Sequence, residues 1–192
     1  MSERDYAIGV CGFPRCGSSM TMRMLHAGGI EPVEGSSPVS YELPGLAEFA
    51  DHEPATLIGR AVKLLDYVQW YGTDALPDVP WRFVWLDRNS RQQARSFVKF
   101  VSATFGDLTD DDVPRIRRSF EQDRAGCVAA LREVGPVLVL KYERTLRDPM
   151  AAGRQLEEFC GVLGLAAAVM VHDRSPECAP DLAFEMQGVA AS

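Results

Sequence analysis

Several features are scarce or missing in this sequence, and each absence narrows the function. No apolar run approaches the roughly 18 residues of a membrane-spanning helix, and the first residues, Met-Ser-Glu-Arg-Asp-Tyr, lack the apolar segment of a secretory signal. No Cys-x-x-Cys pair occurs, and the five cysteines (Cys11, Cys16, Cys127, Cys160 and Cys178) are odd in number. Together these predict reduced thiols in a cytoplasmic protein rather than a disulfide framework. A basic excess is missing too. Lys plus Arg total 20 against 27 Asp plus Glu, a net charge of −7, which disfavours a nucleic-acid binder. A small anionic ligand stays open, because only the field at its pocket matters. There is no internal repeat and no low-complexity tract.

What is present is ordinary globular material: 192 residues, 46% hydrophobic and 24% charged. A chain this long buries about 70% of its unfolded surface, so one domain over residues 1–192 needs no disulfide or metal to hold it. Residues 6–11, Tyr-Ala-Ile-Gly-Val-Cys, read as a buried strand, and 18–28 as a helix stopped by Gly28-Gly29. Residues 29–56, rich in Gly, Ser, Pro and Glu, read as a long loop with one helical turn at most. Strands are expected over 60–65, 82–87 and 136–142, and helices over 90–104, 111–134 and 148–163. Near-continuous apolar strands alternating with helices predict a three-layer α/β fold. A central parallel sheet of four or five strands would be flanked by helices, as in the phosphate-loop NTPases. Ligands in such sheets bind beyond the carboxyl ends of the strands.

The first such edge carries Gly12-Phe13-Pro14-Arg15-Cys16-Gly17-Ser18-Ser19. Glycines at this spacing, between a strand and a helix, let the backbone wrap an anion and aim free N–H groups at it. An ordinary strand-to-helix turn with a Ser cap is the plain alternative. A loop of the ATPase kind would have Lys where Ser18 stands; here the cation is Arg15. A Cys-x5-Arg phosphatase loop fails on counting, since Cys16 leads to Met22 and Cys11 to Gly17. Cys16 therefore reads as a small filler. A second cluster follows the strand at 82–87: Arg88 at its end and Ser96 two turns into the next helix, able to grip a second phosphate. A solvated helix start is its plain alternative.

The two clusters together resemble the sulfotransferase family. Pro14-Arg15-Cys16-Gly17-Ser18-Ser19 is similar to that family's 5′-phosphosulfate loop, and Arg88 with Ser96 to its 3′-phosphate motif. Lys141-Tyr142-Glu143-Arg144-Thr145-Leu146-Arg147-Asp148-Pro149 resembles its late Tyr-Glu stretch, and Gly59-Arg60-Ala61-Val62-Lys63 its second strand. The resemblance spans most of residues 6–165. It implies 3′-phosphoadenosine 5′-phosphosulfate (PAPS) as donor and PAP as product, with no metal. Pro14, Arg15, Cys16, Gly17, Ser18 and Ser19 would hold the 5′ end, Arg88 and Ser96 the 3′-phosphate, and Tyr142 would lie near the nucleotide. Glu143 reads as structural.

The family's frequent Lys-Thr-His pattern stands here as Lys63-Leu64-Leu65, so that histidine is absent. Glu42, in Tyr41-Glu42, is the expected base, with Asp66 next, beside Arg15 on the transferring group. His26, His52 and His172 sit outside the motifs. The family's C-terminal basic segment is not visible, and Arg174 is its one candidate substitute. Residues 29–56 and 66–80 would line an acceptor cleft, with Trp70, Tyr71 and Trp81 suiting an apolar small molecule or glycolipid. Two other readings stay open: a phosphate-loop nucleotide kinase or hydrolase holding magnesium on Asp87, and a non-catalytic relative that binds PAP.

Overall fold

The computed structural model describes residues 4–34, 36, 41–43, 49, 51–162 and 164. Four strands, β1 (Ala7–Gly12), β2 (Ala61–Leu65), β3 (Trp81–Asp87) and β4 (Val137–Lys141), form one sheet in the order β2-β1-β3-β4, every neighbour parallel. All of β1 is buried, as expected of a central parallel strand with helices on both faces.

Alternation along the strands divides the core. Ala7, Cys11, Val62, Leu64, Phe83 and Trp85 point to one face, where Ala94, Val98, Phe120, Cys127 and Leu131 cover them. Those residues come from α4 (Ser90–Thr104) and α5 (Val113–Val134). Ile8, Val10, Val84, Leu86 and Leu140 point to the other face, against Met22, Leu25, Leu156 and Cys160 of α1 (Ser18–Ala27) and α7 (Pro149–Cys160). Among the described residues the sheet thus has four strands, the lower of the two expected numbers, and the three-layer α/β expectation holds.

The helix over 90–104 matches its expected span, because Asn89 caps it: its side chain accepts from the Gln92 amide at 3.1 Å. The last helix ends at Cys160 rather than 163, since Gly161 takes the left-handed conformation (φ 59°) that closes a helix. Three short helices interrupt segments read as loop or strand: α2 (Pro54–Leu57), α3 (Tyr67–Tyr71) and α6 (Tyr142–Arg147). Within the long loop, the chain near Pro32 runs parallel to β2, the Val33 amide donating to the Ala61 carbonyl at 2.9 Å. Trp81, expected in the acceptor cleft, is a core residue: it opens β3 at the opposite end of the sheet, is buried, and donates from Nε1 to the Pro77 carbonyl at 3.0 Å.

Candidate functional site

The segment between β1 and α1 turns on left-handed residues: Arg15 at φ 66° and Gly17 at φ 99°. Arg15 is one of the few non-glycine residues in that region of backbone space, a conformation that persists only where its surroundings enforce it. They do. The Phe13 ring is wedged between Trp85 (centroids 5.5 Å, edge-on) and Phe120 (4.9 Å, stacked). The Gln93 carboxamide, buried, donates to the carbonyls of Phe13 and Pro14, both at 3.0 Å. Arg88 donates from Nη1 to the Arg15 carbonyl at 2.5 Å.

The two clusters read from sequence therefore share a wall. Arg88 stands one residue past β3, beside the first loop, with its guanidinium over the Tyr142 ring at 4.5 Å. The Tyr142 ring in turn lies against Gly17: a Cβ there would come within 2.7 Å of it. The Arg15 side chain crosses to α4, where Nε donates to Ser96 Oγ at 3.4 Å and the guanidinium faces the Phe100 ring at 5.0 Å. Arg15 thus joins the hydroxyl of the second cluster. Pro14, Gly17 and Ser19 are partly exposed at the loop, while Cys16 and Ser18 are buried. Burial pushes the Cys16 thiol up to about 11, so it packs as a thiol. Glu143 accepts from the Asn89 amide at 2.8 Å and braces the start of α4.

A third group comes from β2. Lys63, 3% exposed, donates from Nζ to Ser19 Oγ at 3.1 Å and pairs with the Glu42 carboxylate. A cation absent from loop position 18 is thus supplied by the neighbouring strand. Lys63 was not among the site residues expected from sequence. Its signal was a lysine inside an apolar strand, where an unpaired charge is too costly to keep. Asp66 lies just past β2 in a left-handed turn (φ 54°), its amide donating to the Gly12 carbonyl at 3.1 Å. Burial, then the nearby Glu42 charge, push its carboxyl up to about 7. Lys63 and Ser19 link Glu42 to the loop, and Asp66 stands beside Gly12 at the loop's base.

Asp87, the magnesium ligand of the kinase reading, makes a close charge contact with Arg124 (2.5 Å) without hydrogen-bond alignment. Arg124 also donates to the Arg88 carbonyl at 3.1 Å. His26 is a surface group: its ring pairs with the Tyr41 hydroxyl (3.2 Å) and Glu31 (3.3 Å). His52 stacks at a tilt on Phe49. His172, Arg174 and Cys178 lie outside the described residues. Trp70 and Tyr71, on α3, are exposed at 74% and 46%. Among the described residues no cluster of His, Cys, Asp and Glu is arranged to hold a metal, and no helix is long and apolar enough to cross a membrane.

No protein-family model and no curated protein matches the sequence. Solved structures do. The sulfotransferase domain of the Synechococcus PCC 7002 olefin synthase superposes with a TM-score of 0.56 at 16% identity, covering 86% of this chain and 77% of that one. Sulfotransferase STF1 from Mycobacterium tuberculosis H37Rv gives 0.58 at 14% identity, covering 88% and 72%. Mouse sulfotransferase SULT7A1, solved in complex with PAP, gives 0.55 at 16% identity; the chain spans 86% of its own length but 63% of that protein's. The chain has the fold of the sulfotransferases.

Proposed function

We propose that this chain is a sulfotransferase that moves a sulfuryl group from PAPS to a hydroxyl or amine of a small-molecule or glycolipid acceptor, in the cytoplasm and without a metal. One observation carries this reading: Arg88 bonds the loop carbonyl of Arg15 while Arg15 reaches Ser96, so two anion cradles stand side by side at neighbouring strand ends. Two adjoining clusters suit an adenosine with a phosphate at each end, and a solved structure of the same fold is a PAP complex.

The residues fit the donor on physical grounds. Arg88 keeps a buried Nε with no hydrogen-bond partner, and further guanidinium donors remain to meet the 3′-phosphate with Ser96. Pro14, Cys16 and Gly17 shape the loop, and Arg15, Ser18, Ser19 and the amides at the start of α1 hold the 5′ end. Tyr142 walls the nucleotide side of the loop. The bound donor supplies the reactive sulfur, on which a bond to the acceptor oxygen or nitrogen forms as the bond to the phosphate oxygen breaks. Glu42 takes the acceptor's proton, and Lys63 and Arg15 offset the charge gathering on the phosphate oxygens. Asp66, whose amide bonds the Gly12 carbonyl at the base of the loop, is the second candidate base. Trp70 and Tyr71 offer the acceptor an apolar surface.

Transfer of labelled sulfate from PAPS to a panel of hydroxyl and amine acceptors tests the reading. Glu42→Gln should lower turnover by about 10²–10⁴-fold while PAP binding holds. Full activity in that variant would remove Glu42 from the reaction. PAP binding without transfer to any acceptor would leave a non-catalytic binder.

A further inference from the structure

Three successive carbonyls of the loop, those of Phe13, Pro14 and Arg15, are each held by a side chain from the segment after β3. Gln93 holds the first two. It is 1% exposed, on the inner face of α4 beside Ala94, and no residue of the anion clusters predicts it. Its orientation is fixed by chemistry: two carbonyl oxygens at 3.0 Å accept only from the NH2 end, so the carboxamide cannot be turned round. A trans peptide is planar, with its carbonyl and the next N–H on opposite sides. A carbonyl drawn toward α4 therefore sends the next N–H the other way. Gln93 on the Pro14 carbonyl turns the Arg15 amide away from α4, and Arg88 on the Arg15 carbonyl turns the Cys16 amide away from Arg88, as an anion-accepting loop requires.

We propose that Gln93 is the positioning residue of the donor loop: its buried carboxamide ties the Phe13 and Pro14 carbonyls to α4 and keeps the loop in its anion-accepting form before any ligand arrives. The inference rests on the donor-site reading above. Its consequence is local to one end of the nucleotide. The side-chain hydrogen bonds of Gln93 run to the loop carbonyls and not to Arg88 or Ser96, so its loss should weaken the hold on the 5′ end most.

Calorimetry on the full chain with three ligands separates the ends: PAP carries both, adenosine 5′-phosphosulfate the 5′ end, and adenosine 3′-monophosphate the 3′ end. Gln93→Met removes both donors at similar length and adds no charge. It should weaken PAP and adenosine 5′-phosphosulfate about tenfold or more, while adenosine 3′-monophosphate changes less than about twofold. Gln93→Glu keeps the shape, sets a third acceptor against two carbonyls, and should give the same split; it also covers a Gln93→Met that does not fold. Equal weakening of all three ligands, or none, would overturn the role. A wild-type protein that binds none of the three would instead defeat the donor-site reading itself.

Discussion

Asp66 shows how a single buried carboxyl makes stability depend on pH. Its carboxyl is pushed up to about 7 by burial and then by Glu42, and Oδ1 is buried with no hydrogen-bond partner. An unfolded aspartate titrates near 3.8, so between that value and about 7 the folded chain holds more protons than the unfolded one. Stability must then fall as pH rises through this window, the reverse of a salt-bridged aspartate. Asp66→Asn removes the penalty. Its melting temperature should exceed wild type at about pH 8, and the gap should close toward pH 4.5. An equal difference at both values would mean that Asp66 is ionised throughout.

At the scale of elements, the loop and the helix after it act as one piece. Gly17 is left-handed and lies under the Tyr142 ring, so a methyl group there meets both a strained backbone and an aromatic carbon at 2.7 Å. Gly17→Ala should lower the melting temperature and abolish PAP binding, because Tyr142 or the loop must shift; a variant with native affinity would show that the loop does not need its present shape. The tight turn between β1 and α1 was legible because a backbone that bends this sharply calls for glycine, and Gly17 is left-handed there. The strands were legible as apolar runs, and α4 by its period. The helix at Tyr142–Arg147 was not, since an apolar strand runs directly into it at Lys141 with no glycine or proline between. Gln93 was invisible for another reason. A polar residue on a helix reads as solvated, and only its burial shows that it has carbonyls to hold. Trp81 misled because aromatic content marks a core and a cleft alike. Lys63 carried a signal, a charge inside an apolar run, that its neighbours' pattern masked.

Across the whole molecule, a net charge of −7 coexists with a basic stretch on α4. α4 carries Arg91, Arg95 and Lys99 and no acidic residue, and these line a groove of about 1110 Å3 opposite Arg117 of α5. On another side the same helix presents Ser96 to Arg15, which joins α4 to the loop. The parallel sheet makes this possible. It brings the ends of β1, β2 and β3 into register, with Gly12 opposite Leu65 and Cys11 opposite Trp85, and so sets the loop, Lys63 and Arg88 around one space. Calorimetry with PAP, comparing wild type with Arg88→Ala and Ser96→Ala, bears on this arrangement most directly. One PAP should bind per chain, and removing the Arg88 guanidinium should cost about 1.5–3 kcal/mol, with a smaller loss for the Ser96 hydroxyl. Unchanged affinity in both variants, or a wild-type chain indifferent to PAP, would contradict the paired cradles.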